Sequence, residues 1–498
     1  MSAPHQDDRD DIDDAPEMLD ADDALEEVDD AEGDIAMDSD DDEPIEINIH
    51  NDSIAFFDAH KDSVFAIAQH PTLPSLIATG GSEGEGDDAP GKGYVFDTSP
   101  VVGRPVLPPS YNADPNAPQQ KSTELQPLFT IEGHTDSINT LAFTLPRGEF
   151  LVSGGLDGRL RAYKLSVDAR NKASFTFVAE SQEVPEINWL APCPVEPNSQ
   201  MAVANTIALG ASDGSVWIYT IDPSDAANPL QIVQSYFLHT ESCTAGAWSP
   251  DGKFLATVSE DSSLQVWDVW GEAAAKGLTN DNGQTVVSLT SADQRFAVEG
   301  GLYSVAIDPK TSFVAVGGAG GAIKIVSLPR LGADSQPASS KQSKPKAKGA
   351  EAGGSQGGTI LADLQTQGDG IETLSFSPNN PLLAAGSVDG SIAVYDTSRR
   401  FAVRRHIKDA HEEFSVVKVE FVRDLGDGWL LTSCGMDGVV RRWDVRGAAG
   451  AAAESMVKEW KGHRGDGEGG GVLGFVQGST GERIVTAGDD GVVLVFEA

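Results

Sequence analysis

The feature of this sequence that most limits its fold is a short pattern that recurs along most of the chain. Small residues precede an Asp, a Gly or Ser follows, and a strand-like stretch then reaches an aromatic residue, as in "SGGLDGRLRAYKL" and "SCGMDGVVRRWDV". The aromatic residue stands six positions after the Asp in six copies: Asp157 and Tyr163, Asp213 and Tyr219, Asp261 and Trp267, Asp389 and Tyr395, Asp437 and Trp443, Asp490 and Phe496. Such a repeat predicts an array of similar structural units.

A second apolar stretch lies upstream of each copy, as in "INTLAFTLPRGEFL" and "CTAGAWSPDGKFL". β-Branched residues in alternation, interrupted by Pro, Asn, Asp and Gly, predict strands joined by tight turns. Two degenerate copies, "VGGAGGAIKIVSL" and "GGSEGEGDDAPGKGYVFD", bring the number of units to eight. Their approximate bounds are 56–98, 125–167, 175–222, 232–270, 286–328, 359–398, 403–446 and 457–498.

Several units begin with Gly-His or Ala-His, and two end in Trp-Asp, at Trp267 and Trp443. This order resembles the WD repeat, in which each unit supplies the four strands of one propeller blade. The resemblance implies an all-β fold: an eight-bladed WD-repeat β-propeller over residues 44–498. It also implies a hydrogen-bonded network in two units, made by His134, Ser153, Asp157 and Tyr163 and by His411, Ser433, Asp437 and Trp443. Units three, five and six lack the His, so no network is expected there.

The last unit is one strand short, because the chain ends directly after "VVLVFEA". The segment "SIAFFDAH", residues 53–60, has the form of the outer strands that precede a His in "LFTIEGH" and "VKEWKGH". No unit stands before it in the chain. We therefore expect residues 53–58 to pair with Val492–Phe496 and to close the ring, which removes an exposed sheet edge.

Charge divides the chain into a tail and a body. The formal net charge is −42, and residues 1–50 hold 22 acidic residues and one Arg. Residues 1–43 have too few apolar side chains for a core, so we expect a disordered acidic tail. Two loop insertions are expected between the third and fourth strands of a blade, at 99–124 and at 329–358, the second with Lys341, Lys344, Lys346 and Lys348. A body this acidic repels nucleic acid and anionic membranes and favours basic partners.

No pattern of residues predicts catalysis. Cys193, Cys243 and Cys434 lie far apart without a CxxC pair, which argues against zinc and disulfides. "GDDAPGK" has the spacing of a phosphate-binding loop, but Gly93 follows instead of Ser or Thr. "GASDG" around Ser212 matches a nucleophile elbow, yet the same slot reads "GGLDG" elsewhere and is a repeat turn. We predict a protein that is not an enzyme and has no metal or cofactor.

Localisation and oligomeric state are also expectations from sequence. No signal peptide or apolar span of membrane length is present, so we expect a cytoplasmic monomer without membrane partners. The lysine cluster of residues 341–348 leaves nuclear passage open, with a solvated loop as the alternative.

A narrower resemblance covers about residues 44–498. The stretches "DSIAFFDAHKDSVFAIAQHP", "EINWL", "AAGSVDGSIAVYDT" and "VKEWKGH" are similar to a eukaryotic family that includes the fungal ribosome-assembly WD-repeat chaperone and the animal angio-associated migratory cell protein. The resemblance implies a dedicated chaperone for a newly made, basic large-subunit ribosomal protein of the L-sixteen type. The N-terminal segment of that client would dock on the top of the propeller.

The top of a propeller holds the connections from second to third strands and from fourth strands to the next blade. We predict that acidic residues in these connections bind the client: Glu83, Glu85, Asp87, Asp88, Asp136, Glu183, Glu186, Glu241, Glu260, Glu299, Asp369, Glu372, Glu412 and Glu413. The first choices are Glu186, Glu241, Glu260 and Glu372. Two other functions stay open at this point, a general WD-repeat scaffold or substrate receptor and an acidic histone chaperone.

Overall fold

Apolar strands and tight turns alternate in the computed structural model and form antiparallel sheets, as the repeat predicts. The structure describes residues 51–84, 86, 89–101, 122–169, 172–195, 204–225, 227–331, 357–424, 426–447, 455–465 and 470–498. The predicted acidic tail, Glu85, Asp87, Asp88 and the lysine cluster at 341–348 lie outside these residues.

Each of the first four blades is one four-stranded sheet. Blade one contains β2 (Ala66–Gln69), β3 (Leu76–Ser82), β4 (Gly91–Asp97) and β6 (Pro127–Ile131). Blade two contains β7 (Ile138–Phe143), β8 (Phe150–Gly155), β9 (Leu160–Val167) and β10 (Ala173–Ser181). Blade three contains β11 (Ile187–Pro192), β12 (Thr206–Ala211), β13 (Val216–Ile221) and β14 (Leu230–Tyr236). Blade four contains β15 (Cys243–Trp248), β16 (Phe254–Ser259), β17 (Leu264–Asp268) and β18 (Thr285–Leu289).

The other four blades repeat this plan, with an addition in the last. Blade five contains β19 (Leu302–Ile307), β20 (Phe313–Gly318), β21 (Ala322–Ser327) and β22 (Ile360–Gln365). Blade six contains β23 (Ile371–Phe376), β24 (Leu382–Ser387), β25 (Ile392–Asp396) and β26 (Ala402–Ile407). Blade seven contains β27 (Val416–Phe421), β28 (Leu430–Gly435), β29 (Val440–Asp444) and β30 (Met456–Trp460). Blade eight contains β31 (Val472–Val476), β32 (Arg483–Gly488), β33 (Val493–Glu497), β1 (Ala55–Phe57) and β5 (Thr123–Glu124).

Helical structure within the described residues is limited to single 3-10 turns, at Ala274–Lys276, Ala319–Gly321, Thr397–Arg399 and Gly426–Gly428. The first strand of every blade contacts the first strand of the next, and β31 contacts β2, so the eight sheets form a closed ring. Apolar side chains of adjacent blades share one core, as where Ile392 and Val394 of blade six meet Phe421 and Trp443 of blade seven. The predicted all-β, eight-bladed propeller is confirmed.

The ring closes between the two ends of the chain. Strand β1 pairs antiparallel with β33, with Ala55 opposite Val495 and Phe57 opposite Val493. Strand β1 therefore lies inside the segment that the sequence assigned to closure, and it occupies the fourth position of blade eight. Phe57 is 1% exposed and stacks on Phe96 of blade one with ring centroids 4.8 Å apart.

The insertion after β4 contributes to the same closure, which the sequence did not indicate. Residues 123–124 are a strand rather than loop, because β5 pairs parallel with β1 on its free side. Thr123 N donates to Ile54 O at 3.0 Å and Leu125 N donates to Phe56 O at 2.8 Å. We call the described ends of this insertion, residues 98–101 and 122–125, the strap.

The strap is fixed by polar and apolar contacts to blade eight. The Arg483 guanidinium of β32 donates to Thr98 O at 2.8 Å and to Val101 O at 3.3 Å. Val101 and Leu125 are buried in one apolar cluster with Phe57 and Val495. The closing strand thus has β33 on one side and the strap on the other.

Candidate functional site

Two hydrogen-bonded networks stand at the positions that the WD-repeat resemblance implies. In blade seven, His411 contacts Asp437 at 2.8 Å through Nδ1 and Ser433 Oγ at 2.7 Å through Nε2. Trp443 Nε1 also donates to Ser433 Oγ, at 2.8 Å. In blade two, His134 contacts Asp157 at 3.1 Å and Ser153 at 2.8 Å.

The aromatic residue of the network is Trp443 in blade seven and Tyr163 in blade two. The Tyr163 hydroxyl accepts a hydrogen bond from Arg161 Nε at 3.0 Å and donates to Glu132 O at 3.4 Å.

Three further blades have a His in the same place. His60 contacts Thr79 at 2.9 Å, and His463 contacts Thr486 at 2.8 Å and Asp490 at 3.0 Å. Sequence reasoning missed His239, which contacts Thr257 at 2.8 Å, because Leu238 rather than Gly or Ala precedes it. The signal that could have found it is its position 22 residues before the turn residue Asp261, close to the 23 residues that separate His134 from Asp157.

We predict that Asp437→Ala destabilises the propeller much more than Asp389→Ala. Burial alone would raise the pKa of Asp437, but hydrogen bonds from His411 and Arg441 outweigh burial and lower that pKa. Removing this carboxylate leaves buried polar groups without a partner, which costs about 3 kcal/mol or more. Asp389 of blade six accepts from Gly368 N at 2.7 Å and Ser391 N at 2.9 Å, with no His, so its loss should cost about 1–2 kcal/mol. The midpoints of urea unfolding measure the difference, and equal midpoints would contradict it.

The top end of the first strand carries a β-bulge in blades two to eight. In each case one residue is left out of the pairing: Asn139, Asn188, Thr244, Tyr303, Glu372, Val417 and Leu473. A bulge redirects the side chain of its unpaired residue. These residues therefore form a ring around the central opening of the top face.

The bulge residues of blades two to four hold neighbouring blades together. Asn139 Nδ2 donates to Ile187 O at 2.7 Å, Asn188 Nδ2 donates to Cys243 O at 3.0 Å, and Thr244 Oγ1 donates to Leu302 O at 2.6 Å. In blade five the next residue, Ser304, makes this bond, to Ile371 O at 2.7 Å. The Tyr303 hydroxyl instead donates to Gly300 O at 2.6 Å, and Glu372 is exposed.

An acidic group surrounds Tyr303 at the junction of blades four to six. Burial raises the pKa of the Tyr303 hydroxyl, and the charges of Glu260 and Glu372 raise it further. Partial burial and the charge of Asp369 raise the pKa of Glu372. Gly301, with φ +93°, lets the turn that carries Glu260 approach, since a Cβ there would lie 3.0 Å from Glu260 O. A cationic side chain would be attracted to these like charges.

The connections that carry two of the other first choices, Glu186 and Glu241, both contact the β12–β13 turn of blade three. Ser212 N donates to Glu186 O at 3.2 Å. Gly214 packs so closely on the next connection that a Cβ would lie 2.6 Å from Glu241 O. Glu186 and Glu241 are both exposed, with the turn residue Asp213 between their segments.

The remaining predicted acidic residues are placed less uniformly. Glu183, Glu299, Asp369, Glu412 and Glu413 are exposed on the top face. Asp136 accepts a hydrogen bond from Ser137 N at 2.6 Å.

Glu83 is already neutralised within the chain. It pairs with Lys61 at 2.8 Å and with Lys92 at 3.4 Å, and these lysines lower its pKa although burial opposes them. A client cation would have to displace these partners.

Other kinds of site were sought in the described part of the chain. No group of three His, Cys, Asp or Glu side chains there could hold a metal ion. Cys243 and Cys434 are buried, and burial raises the pKa of the Cys434 thiol to about 12. No described helix is long and apolar enough to span a membrane.

Comparison with known proteins supports the propeller fold. The model of the WD domain, G-beta repeat, matches residues 125–164, 230–268 and 358–396. Ribosome assembly protein SQT1 of Saccharomyces cerevisiae is 29% identical over 480 residues, which cover 93% of this chain and 90% of the yeast protein. The angio-associated migratory cell protein of Homo sapiens is 22% identical over 450 residues, 90% of this chain and 80% of that protein.

Solved structures extend the similarity to almost the full propeller. The crystal structure of Chaetomium thermophilum Sqt1 is 63% identical, has a TM-score of 0.77, and covers 90% of this chain and 98% of that chain. A second structure of that protein, bound to the N-terminus of the ribosomal protein L10, is 62% identical with a TM-score of 0.77 and covers 90% of this chain and 100% of that chain. The chain described above is therefore a member of the Sqt1 family of WD-repeat proteins.

Proposed function

We propose that this protein is a non-enzymatic chaperone, which captures a newly made, basic protein of the large ribosomal subunit on its acidic top face. The observation that carries the proposal is the similarity to the Chaetomium thermophilum structure bound to the N-terminus of ribosomal protein L10. The yeast relative, named a ribosome assembly protein, supports the same cellular role.

The geometry supports capture of an extended basic segment. Exposed acids of the top face occur in two groups, one around Tyr303 and one around the β12–β13 turn of blade three, so a bound segment can cross several blades. Pairs at a wet rim contribute only about 0.2–1 kcal/mol each, so several must act together. A field of one sign around the opening also speeds the encounter with a cationic client.

The identity of the client is the finer part of the proposal. We assign a ribosomal protein of the L-sixteen type, engaged through its N-terminal segment, as the sequence resemblance implies. The encounter takes place in the cytoplasm, where ribosomal proteins are synthesised. The role needs no catalytic residue, metal or cofactor.

Co-purification tests this function against its two alternatives. The tagged full-length chain is isolated at low salt from its own cells, and bound proteins are identified by mass spectrometry. One basic large-subunit ribosomal protein in stoichiometric amount is the expected result. A ligase core would favour the substrate-receptor alternative, and histones without the ribosomal protein would favour the histone chaperone. Either result would refute the proposal.

A further inference from the structure

Phe237 is the most exposed large apolar side chain in the described part of the protein, with 65% of its surface accessible. It lies in the connection from β14 to β15, which belongs to the top face. Its ring meets the Trp217 ring edge to face, with centroids 5.7 Å apart and an interplanar angle of 86°. Exposure of an aromatic side chain on a face that binds a partner indicates a contact residue rather than a core residue.

The indole under Phe237 is held in place by a chain of hydrogen bonds. Trp217 Nε1 donates to Ser215 Oγ at 2.9 Å, and Ser215 Oγ donates to Asp213 at 2.6 Å. Trp217 also packs against the apolar core between blades two and three. Phe237 therefore rests on a rigid support, and we call Trp217 and Phe237 together the aromatic platform.

Acidic residues lie in the segments that carry the aromatic platform and in the connection beside them. Asp213 is linked to Trp217 through Ser215. Glu241 follows Phe237 by four residues in the same connection and is exposed. Burial raises the pKa of Tyr219, and the charge of the nearby Glu183 raises it further. Tyr219 is two residues from Trp217 along β13. An aromatic face among carboxylates suits a cation that is also planar.

The chain itself shows how such a surface is filled. Phe177, on the outer strand of blade two, is 51% exposed, and the guanidinium of Arg161 lies over its ring at 4.6 Å. The same guanidinium pairs with Glu180. None of the cations paired with aromatic rings in the described residues lies over Phe237. The aromatic platform has the Phe and the carboxylates of that arrangement but lacks the Arg.

We infer that the aromatic platform receives an arginine side chain of the client and makes the top face select Arg over Lys. This inference rests on the proposed function and names the residue type that the face recognises. A guanidinium stacks flat on an aromatic ring while its N–H groups reach a carboxylate, whereas an ammonium is a strongly hydrated point charge. Arg and Lys carry the same charge, but this part of the face binds Arg more tightly.

The test uses the full-length protein and two synthetic peptides of equal charge, hexa-arginine and hexa-lysine, titrated by calorimetry at one salt concentration. We expect the wild type to bind hexa-arginine about three- to tenfold more tightly, in line with an exposed cation–π contact. Phe237→Ala should remove most of this ratio and leave hexa-lysine binding almost unchanged. Phe237→Trp should restore the ratio. Circular dichroism checks that the variants are folded.

Phe177→Ala is the matched control, because Phe177 is also about half exposed but is already covered by Arg161. An unchanged ratio in Phe237→Ala, or an equal loss in Phe177→Ala, would overturn the inference. The proposed function is judged separately, from binding of the full-length ribosomal protein of the L-sixteen type to the same samples. Binding of that protein with no preference for Arg refutes only the platform, and no binding refutes the proposed function whatever the peptides do.

Discussion

Removal of residues 1–60 will make this protein aggregate, whereas removal of residues 1–43 will leave its thermal stability nearly unchanged. The longer deletion takes away β1, which is the fourth strand of blade eight and the partner of both β33 and β5. Two strands then lose their neighbour, and the cluster around Phe96 and Val495 is opened to water. Unpaired sheet edges template association between chains.

A point substitution tests the same closure without shortening the chain. Phe57→Ala should destabilise the fold by about 3–5 kcal/mol, because a fully buried Phe is lost from a packed site. Phe56→Ala in the same strand is the matched control, since Phe56 is only partly buried. Thermal melting and light scattering measure the two effects. A soluble, fully stable 61–498 fragment would show that closure by β1 is dispensable.

Simultaneous replacement of Glu186, Glu241, Glu260 and Glu372 by Lys should abolish most binding of the basic ribosomal protein. Each exposed ion pair is worth about 0.2–1 kcal/mol, and a reversed charge adds repulsion to the lost attraction. Four sites together should weaken binding by about 100-fold or more at low salt. The loss should shrink at high salt because exposed charges are screened. Titration of the client at two salt concentrations gives both numbers.

The control is a charge-matched set on the opposite face, in connections from first to second or third to fourth strands. Glu149, Asp281, Asp424 and Glu482 are exposed there, as are the four residues of the top set. Their replacement by Lys changes the net charge by the same amount, so any general electrostatic effect is equal. Comparable loss in both sets would show that overall charge and not the top face attracts the client. Retained binding in the top set would refute the top-face model.

The repeat made the fold predictable from sequence because one spacing of turn Asp and aromatic residue recurs in similar surroundings. Where a blade follows this pattern, its network is predictable too, as for His411, Ser433 and Asp437. Prediction failed where a different residue takes over a role. In blade six the side-chain amide of Gln367 takes the place of the His and donates to Ser391 O at 2.9 Å. No spacing in the sequence predicts this replacement.

The candidate site was predictable in charge but not in geometry. Alternation along a strand assigns Glu372 to a face, but the bulge between Ile371 and Thr373 takes Glu372 out of that alternation. The pairing of Glu83 with Lys61 of the β1–β2 connection and Lys92 of β4 joins three segments, which sequence reasoning did not bring together. The strap was also beyond prediction, since two residues such as Thr123 and Glu124 carry no periodicity.

The strap changes the order in which this ring can be built during translation. Strand β1 leaves the ribosome first, whereas its partner β33 is the last segment to be made. The whole strap, including β5, precedes residue 126, as do Tyr94 and Phe96 of β4. The side chains of Tyr94, Phe96, Val101 and Leu125 belong to the cluster that buries Phe57. A nascent chain of about one blade therefore already holds a partner for its own N-terminal strand. The apolar strand β1 is therefore covered by these contacts while the other seven blades, including its partner β33, are synthesised.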